Sequence, residues 1–126
     1  MTLTSDVVVV GNAGVDTNVY LRTPEINFSV EANFTENIDS VGQAGGFASR
    51  LYSHLGDKVA YLGFLGEDPA GDLVRVVFQK EGIDIPCRWC DPAGTARSVN
   101  LVYPNGNRKN FYDGKSHMDQ EIDPVD

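Results

Sequence analysis

The sequence predicts an α/β fold: a mostly parallel central sheet flanked by helices, with a β-rich lid added to it. Three observations carry this. Val7-Val8-Val9-Val10 is an unbroken β-branched run, the pattern of a strand covered on both faces. Two stretches with helical spacing, near residues 47–55 and 69–80, alternate with further apolar strands, as parallel sheets require. Residues 17–40 and 98–112 instead read as strands with no helix between them. The 126 residues amount to one domain at most, read as 1–126 with lid segments at about 17–40 and 86–113.

In chain order, the first strand stops at Gly11, and Asn12-Ala13-Gly14-Val15-Asp16 forms a tight polar turn. Short strands are predicted over 17–21, 27–30 and parts of 33–40, forming a flap. Gly42-Gln43-Ala44-Gly45-Gly46 introduces a helix over 47–55, in which Ala48, Leu51, Tyr52 and Leu55 share one face. Asp39 and Ser40 offer capping chemistry near its start, and Gly56 can close it in the left-handed conformation. A strand follows over 58–65. Asp68 then caps a second helix whose first residue, Pro69, lacks an amide hydrogen that would go unpaired. Ala70, Leu73, Val74 and Val77 line its buried side, and Gly82 ends it. Pro104-Asn105-Gly106-Asn107 separates two strand-like runs, the strongest hairpin signal in the chain. The aromatic residues Tyr20, Phe28, Phe34, Tyr103, Phe111 and Tyr112 fall on β-only stretches and are expected to pack the flap on itself or on a second subunit. The acidic tail, 115–126, reads as cut off.

Composition excludes several function classes. Eighteen acidic against ten basic residues leave a net charge of −8, which disfavours a nucleic-acid partner. No apolar run approaches the roughly 18 residues of a membrane span, and the start lacks a signal-peptide pattern, so a cytoplasmic location and no membrane partner are expected. Asn27-Phe28-Ser29 and Asn33-Phe34-Thr35 match the glycosylation acceptor pattern, but without a secretory signal they read as incidental. Cys87 and Cys90 form one C-x-x-C. Only His54 and His117 remain to complete a zinc set, neither at the usual spacing, so no metal site is assigned and the thiols are expected to be reduced.

Two glycine-containing segments point to a ligand. Asn12 and Asp16 follow the first strand, where open α/β sheets bind ligands, and a carboxylate there suits a polyol because it can accept two hydroxyl hydrogen bonds. The segment Gly11-Asn12-Ala13-Gly14 is G-x-x-G and not the dinucleotide fingerprint. Three glycines in 42–46 exceed what a helix entry needs and let backbone approach a ligand closely. The candidate substrate-binding set is Asn12, Gly14, Asp16, Gly42, Gln43, Gly45, Gly46 and Phe47.

Taken in order, these segments resemble the amino-terminal part of the PfkB or ribokinase family of carbohydrate and nucleoside kinases. The resemblance rests on the opening strand with Asp16, on 42–56, and on Gly63-Phe64-Leu65-Gly66-Glu67-Asp68-Pro69-Ala70-Gly71 continuing to Glu81-Gly82-Ile83-Asp84. The last stretch is similar to the family's GxVGxDxxG…EGV pattern, and 95–108 to its lid hairpin. The sequence departs at Gly42-Gln43, where the family has a Gly-Gly pair, and at Phe47, where it has a substrate-contacting Asn; an aromatic ring there favours a stacked or nucleoside-like group. The resemblance implies a ribokinase-like fold and ATP-dependent, magnesium-assisted transfer of a γ-phosphoryl group to a substrate hydroxyl. This chain would supply the acceptor pocket and lid for a small sugar or nucleoside. The G-x-G-D base and most of the ATP site are expected beyond residue 126, so no catalytic residue is assigned here and Asp72 is not the base. The isolated segment is expected to be inactive, and a homodimer through the lid is implied. The alternative is a non-catalytic sugar- or nucleoside-binding module of the same fold.

Overall fold

The computed structural model describes residues 4–122; the acidic end of the tail, 123–126, lies outside them. Strand β1 (Val7–Val10) pairs in parallel with β4 (Val59–Leu62), and a parallel bridge between Ala60 and Asp84 extends that layer. A four-stranded mixed sheet has the order β3 (Thr35–Gly42), β2 (Gly14–Leu21), β7 (Arg97–Val102), β8 (Arg108–Asp113). A short parallel pair joins β5 (Phe64–Leu65) to β6 (Trp89–Cys90). Helices α1 (Gln43–His54) and α2 (Pro69–Lys80) complete the fold.

The core gathers Val9, Val15, Val41, Val59, Tyr61, Leu65, Val74 and Phe78 between strands and helices. Tyr61 meets Phe78 edge to face at 5.1 Å, and its buried hydroxyl donates to the Gly11 carbonyl at 2.8 Å, so the one polar atom in this cluster is satisfied. Burial raises the Tyr61 hydroxyl's pKa. The strand expected over 58–65 breaks at Gly63 for the same reason: a Cβ there would overlap the Tyr61 hydroxyl and the Gly11 carbonyl.

Helix α2 follows its sequence signals. The Asp68 side chain accepts from the Gly71 amide at 2.8 Å, Pro69 opens the helix, and Gly82 at φ +70 ends it. The same carboxylate accepts from the Thr95 amide and hydroxyl at 2.8 and 2.7 Å, tying the helix start to the entry of β7. Burial opposes its charge, but these donors outweigh it and hold the carboxyl below its ordinary range.

Four expectations need correction. Strand β1 is not covered on both faces: Val8 and Val10 are 49% and 61% exposed, because among the described residues helix packing buries only the Val9 side. Residues 27–30 are a turn and not a strand; the Asn27 amide donates to Asn33 Oδ1 at 2.9 Å, and Asn33 Nδ2 donates back to the Asn27 carbonyl at 3.0 Å. Helix α1 starts four residues early, at Gln43, with no side-chain cap. Asp39 and Ser40 lie in β3 and accept hydrogen bonds from Thr17 and Asn18. Its buried face is Gly45, Gly46 and Ser49, whereas Leu51, Tyr52 and Leu55 face outward, because the small residues let the helix close on the strand ends. Finally, Phe28, Phe34, Phe111 and Tyr112 are exposed, so of the two packings expected for them, on the flap itself or on a second subunit, the structure removes only the first.

The two helices are clasped by Glu81, which accepts from Arg50 Nε at 2.9 Å and Nη2 at 2.8 Å, with His54 Nε2 at 3.4 Å and the Ser53 hydroxyl on the Glu81 carbonyl. The Arg50 hydrogen bonds hold the Glu81 carboxyl below its ordinary 4.5. A lowered folded-state pKa gives stability that is complete above the unfolded value and disappears as pH falls through the folded one. Glu81→Gln is therefore expected to lower stability by about 1 kcal/mol at pH 7, with the gap to wild type closing below the folded-state pKa, as read from thermal melts across pH.

Candidate functional site

Register decides what meets at the seam between the layers. Asp16 on β2 lies opposite Ser40 on β3 and Ser98 on β7, and Gly14 lies opposite Gly42 at the end of β3. Asp16 is only 7% exposed. A buried carboxylate must be hydrogen-bonded, and two side chains do this at one oxygen: Ser98 Oγ donates to Oδ1 at 2.6 Å and Gln43 Nε2 at 2.7 Å. The other oxygen lies against Gly42, where a Cβ would overlap it. Gly42 is thus required by the Asp16 carboxylate.

Gln43 has φ +68, one of two non-glycine residues with positive φ among those described. That conformation costs a side-chain-bearing residue on the order of 1 kcal/mol. It persists here because the backbone turns sharply from β3 into α1 and the side chain gains a partner in Asp16.

A hollow of about 210 Å³ opens beside Asp16, lined also by Gln43 and Ser98. Ala44 and Phe47 of α1 line one part of it, and Asn100 of β7 with Arg108, Asn110 and Tyr112 of β8 line the rest. The asparagines form a hydrogen-bonded row: Asn110 Nδ2 donates to Asn100 Oδ1 at 2.8 Å, and Asn100 Nδ2 to Asn18 Oδ1 at 3.0 Å. The sheet is inverted relative to a surface sheet. Ser98 and Asn100 are buried while Val99 is exposed.

Of the predicted residues, Asp16, Gln43 and Phe47 line this hollow. Gly45 and Gly46 do not. Their amides donate to the Asn12 carbonyl at 2.8 and 3.3 Å, so these glycines serve the close packing of α1 on the end of β1 and do not present backbone to the hollow. A Cβ on Gly45 would meet Asn12 and Gly11 backbone at 2.8–2.9 Å. Gly14 packs against the Ala96 carbonyl. Asn12 sits one step away, and its side chain donates to the Tyr112 hydroxyl at 2.8 Å, joining the end of β1 to β8. Burial is the main cause that pushes the Tyr112 hydroxyl above its usual range.

Sequence reasoning missed Ser98, Asn100, Arg108 and Asn110. The signal was available in Ser98-Val99-Asn100-Leu101: alternate polar residues in a strand share a face, and that face is the buried one. A larger hollow of about 330 Å³ lies between α2 and β6, walled by Arg75, Ile83, Cys87 and Trp89 among others. Arg75 is already paired with Glu67 and Asp72, and none of the candidate residues lines that hollow. Cys87 and Cys90 are free thiols. No group of three or more His, Cys, Asp or Glu side chains among the described residues is placed to hold a metal ion, and no described helix is long and apolar enough to cross a membrane.

No family model matches the chain. An acarbose 7(IV)-phosphotransferase of Actinoplanes sp. is 33% identical over 121 residues, which cover 96% of this chain and 40% of the relative. The solved structure of a microbiome-derived acarbose kinase superposes with a TM-score of 0.83 at 31% identity, over 98% of this chain and 41% of that one. The chain is thus similar to carbohydrate kinases over nearly all of its own length. A Giardia lamblia ribokinase shares the fold of this chain at a TM-score of 0.76 and 19% identity, over 91% of this chain and 36% of that one. The ribokinase-like chain thus spans about 40% of the length of the relatives it matches.

Gly42→Ala tests the close approach at the seam. The added methyl must displace the Asp16 carboxylate, so the variant is expected to lose about 1–3 kcal/mol of stability, measured by urea denaturation, as overpacked sites do.

Proposed function

We propose that this chain is the acceptor-holding portion of an ATP-dependent sugar kinase that transfers a γ-phosphoryl group to a substrate hydroxyl. The observation that carries the reading is the buried Asp16 carboxylate, held by Gln43 and Ser98 at the base of a polar hollow between α1 and the lid sheet. A carboxylate accepts hydroxyl hydrogen bonds, and its charge makes them short and strong. Phosphoryl transfer depends mostly on positioning, which a fixed carboxylate on a rigid strand supplies. Strands β2, β3, β7 and β8 form the lid, and the polar face it turns to the hollow allows it to hold a sugar while excluding water. The named activity of the relatives, phosphorylation of acarbose, supports a carbohydrate acceptor.

ATP and magnesium belong to the same reading through the family. ATP supplies the phosphoryl group and magnesium neutralises its charge. In this reading neither group, nor the proton-accepting base, is assigned to a residue of this chain. Two copies would pair through the outer lid face, where the register partners Val99 and Phe111 are both exposed.

The purified 126-residue chain is expected to bind a sugar by isothermal titration, to lose at least tenfold in affinity on Asp16→Asn, and to show no phosphoryl transfer from ATP. Equal affinity in the variant would remove Asp16 from the acceptor site. Turnover by the chain alone would contradict the division of labour.

A further inference from the structure

The hollow between α2 and β6 shares no lining residue with the one at Asp16. Its volume of about 330 Å³ falls within the roughly 300–1,000 Å³ of small-molecule sites. The backbone around it is already fixed. After α2, the Ile83 amide donates to the Phe78 carbonyl at 2.9 Å, the Asp84 amide donates to the Val59 carbonyl at 3.0 Å, and the Asp84 carbonyl accepts from the Tyr61 amide at 2.8 Å. Strand β6 pairs with β5, and Trp89 stacks on Phe64 with ring centroids 5.4 Å apart. A ligand there has little chain to order, which removes one of the main costs of binding.

The lining combines two kinds of side chain. Leu65 and Ile83, 2% and 4% exposed, supply apolar surface together with Ile85 and Trp89. Gln79, Asp84 and Arg88 supply hydrogen bonding: the guanidinium donates, the carboxylate accepts and the carboxamide does both. Arg75 lines the hollow too, but its guanidinium is paired with Glu67 and Asp72, whereas no ion pair among the described residues involves Asp84 or Arg88. A hydrocarbon would leave the three polar groups unused, and a polyol would leave the apolar ones unused. A flat heterocycle uses both, since its faces suit aromatic and aliphatic side chains and its edge suits donors and acceptors. Proteins read unstacked nucleobases with this pairing of chemistries.

We propose that the hollow between α2 and β6 is a second binding site, one that takes an aromatic heterocycle with hydrogen-bond donors and acceptors on its edge, the chemistry of a nucleobase. Nucleosides and nucleotides share that chemistry, and the experiment separates them. The proposal does not depend on the acceptor reading at Asp16.

Trp89 is the only tryptophan of the chain, so its emission reports on this hollow directly. Cys87 lines the hollow and Cys90 does not, and tryptic cleavage after Arg88 places the two thiols on different peptides. The test titrates the purified chain with the common ribonucleosides and their monophosphates, following Trp89 emission and the rate of iodoacetamide alkylation at each cysteine. At least one base is expected to change the emission saturably and to slow alkylation of Cys87 at least threefold more than that of Cys90. Gln79 and Arg88 are exposed, so substitutions there leave the core intact. Gln79→Ala should weaken binding at least fivefold. Equal affinity for nucleoside and monophosphate would assign the ligand as a nucleoside; tighter binding of the monophosphate that Arg88→Gln abolishes would assign it as a nucleotide. No saturable response to any of these compounds, equal protection of both thiols, or unchanged affinity in Gln79→Ala would overturn the proposal. Each of those results leaves sugar binding at Asp16 untouched.

Discussion

A charged group taken largely out of water must find donors in the protein, and the Asp16 carboxylate is that group here. Its donors come from two distant places: Gln43 at the start of α1 and Ser98 on β7. Its second oxygen needs a residue without a side chain, and Gly42 provides the space. One carboxylate therefore ties together β2, the β3-to-α1 junction and strand β7, which arrives some eighty residues later in the chain. A slip of one residue in either pairing would turn Asp16 to the opposite face and leave both donors unpaired.

This constraint explains two features that run against ordinary patterning. The four-stranded sheet buries Ser98 and Asn100 and exposes Val99, because the face that carries Asp16 continues in polar side chains. Helix α1 presents Gly45, Gly46 and Ser49 inward, because only small residues let it approach the Asn12 carbonyl closely enough to hold Gln43 over Asp16. Its larger side chains are left on the outside, where Leu55 is 70% exposed.

Much of the fold was legible in the sequence where local chemistry decides structure. The Asp68-Pro69 start of α2, its Gly82 stop and the hairpin at 104–107 all rest on residues whose backbone preferences act within a few positions. Asp16 and Gln43 stand out in the sequence as a carboxylate after a strand and a departure within a glycine-rich segment, and the fold brings the two into hydrogen-bond contact. The start of α1 and the roles of Gly45 and Gly46 were not, since glycines before a helix signal a loop until a partner strand is known to lie against them. The coverage of β1 was overestimated for a related reason. A β-branched run states what a strand tolerates, and only tertiary packing states what covers it. The lid asparagines required the β2–β7 register, which pairs residues far apart in the chain.

The most direct measurement follows the side-chain amides of Gln43, Asn100 and Asn110 by heteronuclear NMR while a sugar is titrated into the labelled chain. The account predicts that these three signals shift together, and that none moves in the Asp16→Asn variant at the same sugar concentration. Shifts centred instead on Arg75 and Trp89, at the larger hollow between α2 and β6, would contradict it.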